Sequence, residues 1–204
     1  MLHQSVVTFL KRNVTPIMQS SGVSEAIPVQ LREVLAIANG FFAFSGAFLF
    51  RPASNSGKPL GIREWNEVEL WKKIYPVDLV DVLFFAEDVF GYQFGLNSEK
   101  VIQLDPETGE LTQIALSVDD LLRKVVANPG ELTGDVFLKE WVEAYGSLFA
   151  GERLVAKCPF VCGGEFGVSN FIVKDEVLAM RARGKLASSL QGIEDGTKVI
   201  FRIE

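Results

Sequence analysis

Apolar positions along the chain change period several times, and each change marks an element. Residues 6–17 carry a weak helical pattern. In residues 29–39, Leu31, Val34, Leu35 and Ala38 recur at helical spacing. Pro28 suits a first helical turn, and Asn39-Gly40 reads as the stop, because both residues tolerate a left-handed backbone. The most apolar stretch, residues 35–50 (LAIANGFFAFSGAFLF), reads as a buried helix end, a turn and, at 47–51, a first strand. Residues 52–61, PASNSGKPLG, have the composition of a loop. Beyond it Trp65, Val68, Trp71 and Ile74 lie three apart, as on one face of a short helix over 65–75.

From residue 82 the period becomes two. Residues 82–86 predict a buried strand. Tyr92, Phe94 and Leu96 alternate with Gln93, Gly95 and Asn97, the mark of a strand with one covered face. Residues 101–105 and 111–116 follow across tight turns, the second of them Pro106-Glu107-Thr108-Gly109. Together these segments predict an antiparallel meander over 82–116. Ser117 then caps a helix running to about 127, with Asp119 and Asp120 in its first turn. Residues 136–149 form the strongest helical stripe, through Leu138, Trp141, Val142, Tyr145, Leu148 and Phe149. After residue 150 the pattern is mixed: a strand over 168–173, a helix over 175–190 with Gly184 as a possible break, and an alternating strand over 198–203. The expected fold class is α+β: a central antiparallel or mixed sheet flanked by helices, with a small C-terminal α/β extension. The expected organisation is a main domain over 1–150 and an extension over 151–204 packed on it.

Composition narrows the class. At 204 residues and 48% hydrophobic, the chain can bury one good core and is too apolar for disorder. The net charge of −6 is unevenly placed. Residues 1–100 hold 9 Lys/Arg and 10 Asp/Glu, residues 101–150 hold 3 and 9, and residues 151–204 hold 8 and 7. An acidic middle disfavours nucleic acid, whose phosphates need clustered Lys and Arg, and favours basic partners. The stretch 35–50 is shorter than the roughly 20 apolar residues of a spanning helix. No membrane partner is therefore expected. Nor does the N-terminus read as a signal peptide. Two cysteines, Cys158 and Cys162, suit a reducing compartment, and a cytoplasmic location is expected.

The chemistry-bearing residues are sparse. The one histidine, His3, lies near a terminus, which removes Ser-His-Asp and Cys-His arrangements. Cys158 and Cys162 are spaced C-x3-C rather than as the usual redox dithiol, and two cysteines are too few for a zinc site. Gly163-Gly164-Glu165-Phe166-Gly167 lacks the lysine of a phosphate loop and reads as a tight turn. Glu87-Asp88 offers an acid pair, but adjacent residues seldom converge on one substrate, so a solvated turn is expected there. No catalytic residue, metal site or cofactor is assigned.

Several of these segments resemble the SUKH superfamily. The resemblance rests on the helix closing at Asn39-Gly40, on Leu83-Phe84-Phe85-Ala86-Glu87-Asp88, and on Gly91-Tyr92-Gln93-Phe94, with the helix from Ser117 to Val126 where the family places its last one. It covers about residues 25–127. Phe41 departs from it, since many members place glycine or a polar residue there. The run from Lys157 to Glu165, Asn170 and the segment Glu194 to Val199 are similar to an extension found in some bacterial members. The resemblance implies an α+β fold and a non-catalytic immunity protein that neutralises a cognate bacterial toxin, often a nuclease or deaminase, by direct contact. Some eukaryotic relatives act instead as regulators or scaffolds, which is the alternative; a carboxylate-based hydrolase is a third reading. The contact surface is not carried by the motif. From acidity and predicted turn positions, Glu64, Glu67, Glu87, Asp88 and Tyr92 are the candidates for contact with a toxin whose facing surface is basic. The oligomeric state stays open.

Overall fold

Seven strands follow one another across a single antiparallel sheet, each hydrogen-bonded to its neighbour in the chain. They are β1 (Val14–Met18), β2 (Asn39–Ala43), β3 (Phe48–Phe50), β4 (Leu83–Asp88), β5 (Gln93–Asn97), β6 (Lys100–Leu104) and β7 (Leu111–Ala115). The computed structural model describes residues 1–19, 23–55 and 57–193. Among these, β8 (Glu152–Ala156) and β9 (Phe171–Asp175) pair as a second, two-stranded sheet. The helices are α1 (Gln4–Arg12), α2 (Val29–Leu35), α3 (Ile62–Trp65), α4 (Val118–Ala127), α5 (Pro129–Thr133), α6 (Asp135–Tyr145) and α7 (Glu176–Leu190). The protein is thus α+β, with a central sheet flanked by helices. The predicted strand over 198–203 lies outside the described residues.

Helices α1, α2 and α4 cover one face of the sheet. Val6, Phe9, Leu31, Val34, Leu35, Leu121 and Val125 pack there against Phe41, Phe50, Phe85 and Phe94. The other face is covered by the segment from Trp65 to Val82 and by α7, through Trp65, Trp71, Tyr75, Phe84, Leu104 and Met180. A third cluster joins α6 to the small sheet through Phe137, Leu138, Trp141, Leu154 and Phe171, with Ala47 and Val89. The meander expected over 82–116 is therefore the second half of a larger one, since β1, β2 and β3 precede it.

Several local expectations change in physical detail. The helical reading of residues 6–17 divides into α1 and β1, because Asn13 ends the helix and Pro16 lies within an extended segment. Asn39-Gly40 does not end α2, which stops at Leu35; it opens β2 instead. Gly40 holds a φ of +73°, and a Cβ there would lie 2.5 Å from Pro52 N. Asn39 Oδ1 accepts from Ala53 N (3.0 Å), so the pair anchors the loop after β3. The Trp65–Ile74 stripe is no continuous helix: α3 ends at Trp65, and a single 3-10 turn forms at Lys72–Ile74. Ser117 does cap α4, accepting from Asp120 N at 3.1 Å. Gly184 lies inside α7 and does not break it.

Candidate functional site

Charges lie where the sequence showed apolar runs. Arg51 follows the Phe-Leu-Phe of β3 and is fully buried. Its Nη1 donates to Glu176 Oε2 (2.8 Å) and to Leu60 O (2.9 Å), and its Nη2 lies 2.9 Å from Glu87 Oε1. Arg153 of β8 brings Nε to 2.7 Å from the same Glu87 oxygen. Gln93 Nε2 donates to Glu87 Oε2 (2.6 Å), and Trp65 Nε1 donates to Gln93 Oε1 (2.9 Å). The Arg51 guanidinium sits 3.6 Å from the centroid of the Trp65 ring. Glu176 completes the set from α7, accepting from Leu60 N (3.0 Å) and pairing with Lys58. Two buried arginines thus face two buried glutamates, the arrangement that makes ion burial tolerable. Burial pushes the Glu87 carboxyl up, but Arg153, Arg51 and Gln93 outweigh it and hold the group below its ordinary range. This cluster ties the C-terminal segment to the main sheet. It encloses its groups almost completely, Arg153 alone reaching the lining of a second groove.

The neighbouring residues are arranged differently. Beyond the end of β4 the chain turns through Phe90 and Tyr92, and a groove of about 730 Å³ opens there. Asp88, Phe90, Tyr92 and Gln103 line it from the sheet, Gly130 and Glu131 from α5, and Gly134, Val136, Phe137 and Glu140 from the start of α6. Phe160 and Phe166 close it from the loop between β8 and β9. The Phe166 ring, 65% exposed, lies 4.8 Å from Phe137 and 5.8 Å from Phe90 between centroids. Val136 beside it is 67% exposed. The loop carrying both phenylalanines is held by Asn170, whose Nδ2 donates to Cys158 O and Glu165 O (both 2.9 Å). Gly163 takes the left-handed conformation at the turn, and Cys158 and Cys162 precede it as free thiols.

Asp88 forms the groove's floor and is 6% exposed. Its Oδ1 accepts from Phe90 N and Tyr92 N, both at 2.9 Å. Burial pushes its pKa up to about 8, with the adjacent Glu87 adding to the rise. The Tyr92 hydroxyl is likewise pushed up, by burial and then by Asp105, Asp88 and Glu107, so it remains protonated at neutral pH. The groove therefore joins an aromatic wall, an acidic rim and a hydrogen-bonding floor. That chemistry suits a cationic group. Among the described residues, no three His, Cys, Asp or Glu side chains are grouped to hold a metal ion.

The five sequence candidates separate. Asp88 and Tyr92 come together in the groove. Glu87, expected on a solvated turn, is instead buried at the end of β4 and consumed by Arg51 and Arg153, so it offers no surface to a partner. Asp88 too is buried rather than solvated, and it meets the outside only through the groove. Glu64 is half-buried and accepts from Ser54 Oγ (2.5 Å) and Asn55 N (2.9 Å), which fastens the loop after β3. Glu67 is exposed, and neither it nor Glu64 lines the groove. Sequence reasoning missed Glu131, Glu140, Phe137, Phe160 and Phe166. The charge count had marked the acidic stretch that supplies the two glutamates. Two phenylalanines beside a Gly-Gly turn were the other available signal, since a solvated loop has no use for them.

No protein-family model matches the chain, and no curated protein matches it. Among solved structures it is similar to the crystal structure of Atu4351 from Agrobacterium tumefaciens, with a TM-score of 0.56 and 15% identity. The match covers 84% of this chain and 85% of that one. The likeness is one of fold. Among the described residues, no helix is long and apolar enough to cross a membrane.

Proposed function

We propose that this protein is a non-catalytic immunity protein of the SUKH type, which binds a cognate toxin in the cytoplasm and neutralises it by direct contact. The groove beside β4 and β5 carries the reading. Its exposed Phe166 and Val136 supply anchor surface, and Glu131 and Glu140 supply charge opposite to that of a nucleic-acid-directed toxin. The resemblance of residues 25–127 supports the same reading. Binding is favoured over carboxylate catalysis because both oxygens of Glu87 are engaged, by two arginines and Gln93. Consecutive strand residues project to opposite sides, and so Glu87 and Asp88 do not share one substrate.

Co-expression tests the proposal. The product of the gene beside this one is induced in a host cell with and without this chain. The expected result is killing by the neighbour alone, survival with this chain present, and co-elution of the two proteins. A harmful neighbour that this chain neither binds nor counteracts overturns the proposal.

A further inference from the structure

We infer that the groove takes an arginine side chain of the partner, with the guanidinium on Asp88 and its plane against the phenylalanine wall. The inference rests on the binding reading above and names the group that reading leaves open.

The floor asks for donors. Asp88 has one oxygen occupied by two backbone N–H groups, while its Oδ2 accepts no hydrogen bond among the described residues. Asp88 is 6% exposed and lines the groove, so a charged donor entering there would meet its free oxygen away from bulk water. The charge of Arg183 acts on Asp88, but its Nη1 donates to Phe90 O rather than to the carboxyl. The walls ask for a flat cation. Phe90 and Phe137 back the Phe166 ring, which is 65% exposed and offers a surface on which a planar, weakly hydrated guanidinium stacks better than a compact ammonium. The rim is acidic through Glu131 and Glu140, and no lysine or arginine lines the groove. Its volume, about 730 Å³, exceeds one side chain and falls in the range of ligand pockets, about 300–1,000 Å³. The arginine therefore enters with the residues on either side of it.

A proton accompanies the event. The charges acting on Asp88 are Glu87, its neighbour along the strand, and Arg183 from α7; Tyr92 lines the groove beside it, and Glu131 and Glu140 line the same groove from α5 and α6. Burial among them keeps its carboxyl largely protonated at neutral pH. An arriving guanidinium favours the carboxylate, and the proton leaves to buffer.

The test titrates the full, 15N-labelled chain near neutral pH with acetyl-Gly-Arg-Gly-amide at millimolar concentration, and in parallel with the lysine and citrulline counterparts. The expected result is saturable amide shifts at Phe90, Gly130, Gly134 and Phe166 with arginine, weaker by about tenfold or more with uncharged citrulline. Calorimetry in two buffers of different ionisation enthalpy should show proton release. Phe166→Ala, at an exposed ring, should weaken arginine binding while leaving the rest of the spectrum in place. Equal binding of citrulline, equal binding of lysine, or shifts mapping elsewhere overturns the inference. So does a chain that protects against its toxin yet shows no arginine response, and that outcome leaves the immunity reading intact. A saturable arginine response in a chain that protects against nothing overturns the immunity reading instead.

Discussion

Glu87 and Asp88 differ by one methylene and are neighbours in the chain, and burial pushes both carboxyls up, yet their partners leave them shifted in opposite directions. Glu87 finds Arg51 and Arg153 and is held ionised. Asp88 finds backbone N–H groups and a second carboxylate, and its proton is held up to about pH 8. The consequence for stability has a definite sign. Between the unfolded value, about 3.9, and the folded one, the native chain binds more protons at Asp88 than the unfolded chain does. The stabilisation is fully present below the unfolded value and is lost as pH rises towards about 8. Asp88→Asn keeps an acceptor for Phe90 N and Tyr92 N but removes the titration. The urea midpoint of the native protein should fall between about pH 5.5 and about pH 7.5, and that of Asp88→Asn should fall less. Glu107, also pushed up by burial, contributes equally to both proteins and cancels. Parallel curves would show that Asp88 is already ionised. The acid pair was legible in the sequence. Its fate was not, because Arg51 and Arg153 come from parts of the chain remote in sequence, with no periodicity to announce them.

Strand β5 shows what alternation can and cannot convey. Tyr92, Phe94 and Leu96 marked it correctly, and its register with β6 follows. The polar and glycine positions between them were read as a solvent face. They are buried, because Trp65 hydrogen-bonds Gln93 and because Val82 and Phe84 lie over Gly95. A Cβ at Gly95 would sit 2.5 Å from Val82 Cγ1 and 2.9 Å from Phe84 Cδ1. Gly95→Ala should therefore cost about 1–3 kcal/mol, the usual range for overpacking. Urea denaturation checks this, and an unchanged midpoint would mean that the α7 face is loosely packed. Strand β1, a largely exposed edge strand, was absorbed into the helical pattern of residues 6–17, whereas β2 escaped the sequence reading for a related reason. When both faces of a short strand are covered, the period of two disappears into an apolar run. Residues 39–50 are such a run, and β8 is another.

At the scale of the molecule, the C-terminal segment is not a removable appendage. Glu176 and Arg153 neutralise Arg51 and Glu87 within the same buried cluster, and Met180 and Ala187 pack against Trp71 and its neighbours. Removing one partner of a buried pair typically costs about 3–5 kcal/mol, a large part of the roughly 5–15 kcal/mol that holds a domain together. A chain ending at residue 150 should consequently lose its cooperative urea transition and its near-ultraviolet dichroism. A truncated chain that unfolds cooperatively would show the main sheet to be self-sufficient. The groove was illegible at this scale too. Its walls come from β4, α5, α6 and the loop before β9, and only the fold brings them together.

The strict chain order of the seven strands also sets an order of events. The hairpins β2–β3, β4–β5, β5–β6 and β6–β7 close short loops, whereas the bond between Arg51 and Glu176 closes 125 residues. Loop entropy makes the hairpins early and the clasp late. Until α7 docks, the half-built sheet carries Arg51 and Glu87 in the middle of a bare apolar face. Two such chains meeting at that stage would have to dehydrate both charges, so premature association is penalised until the correct helix arrives to neutralise them.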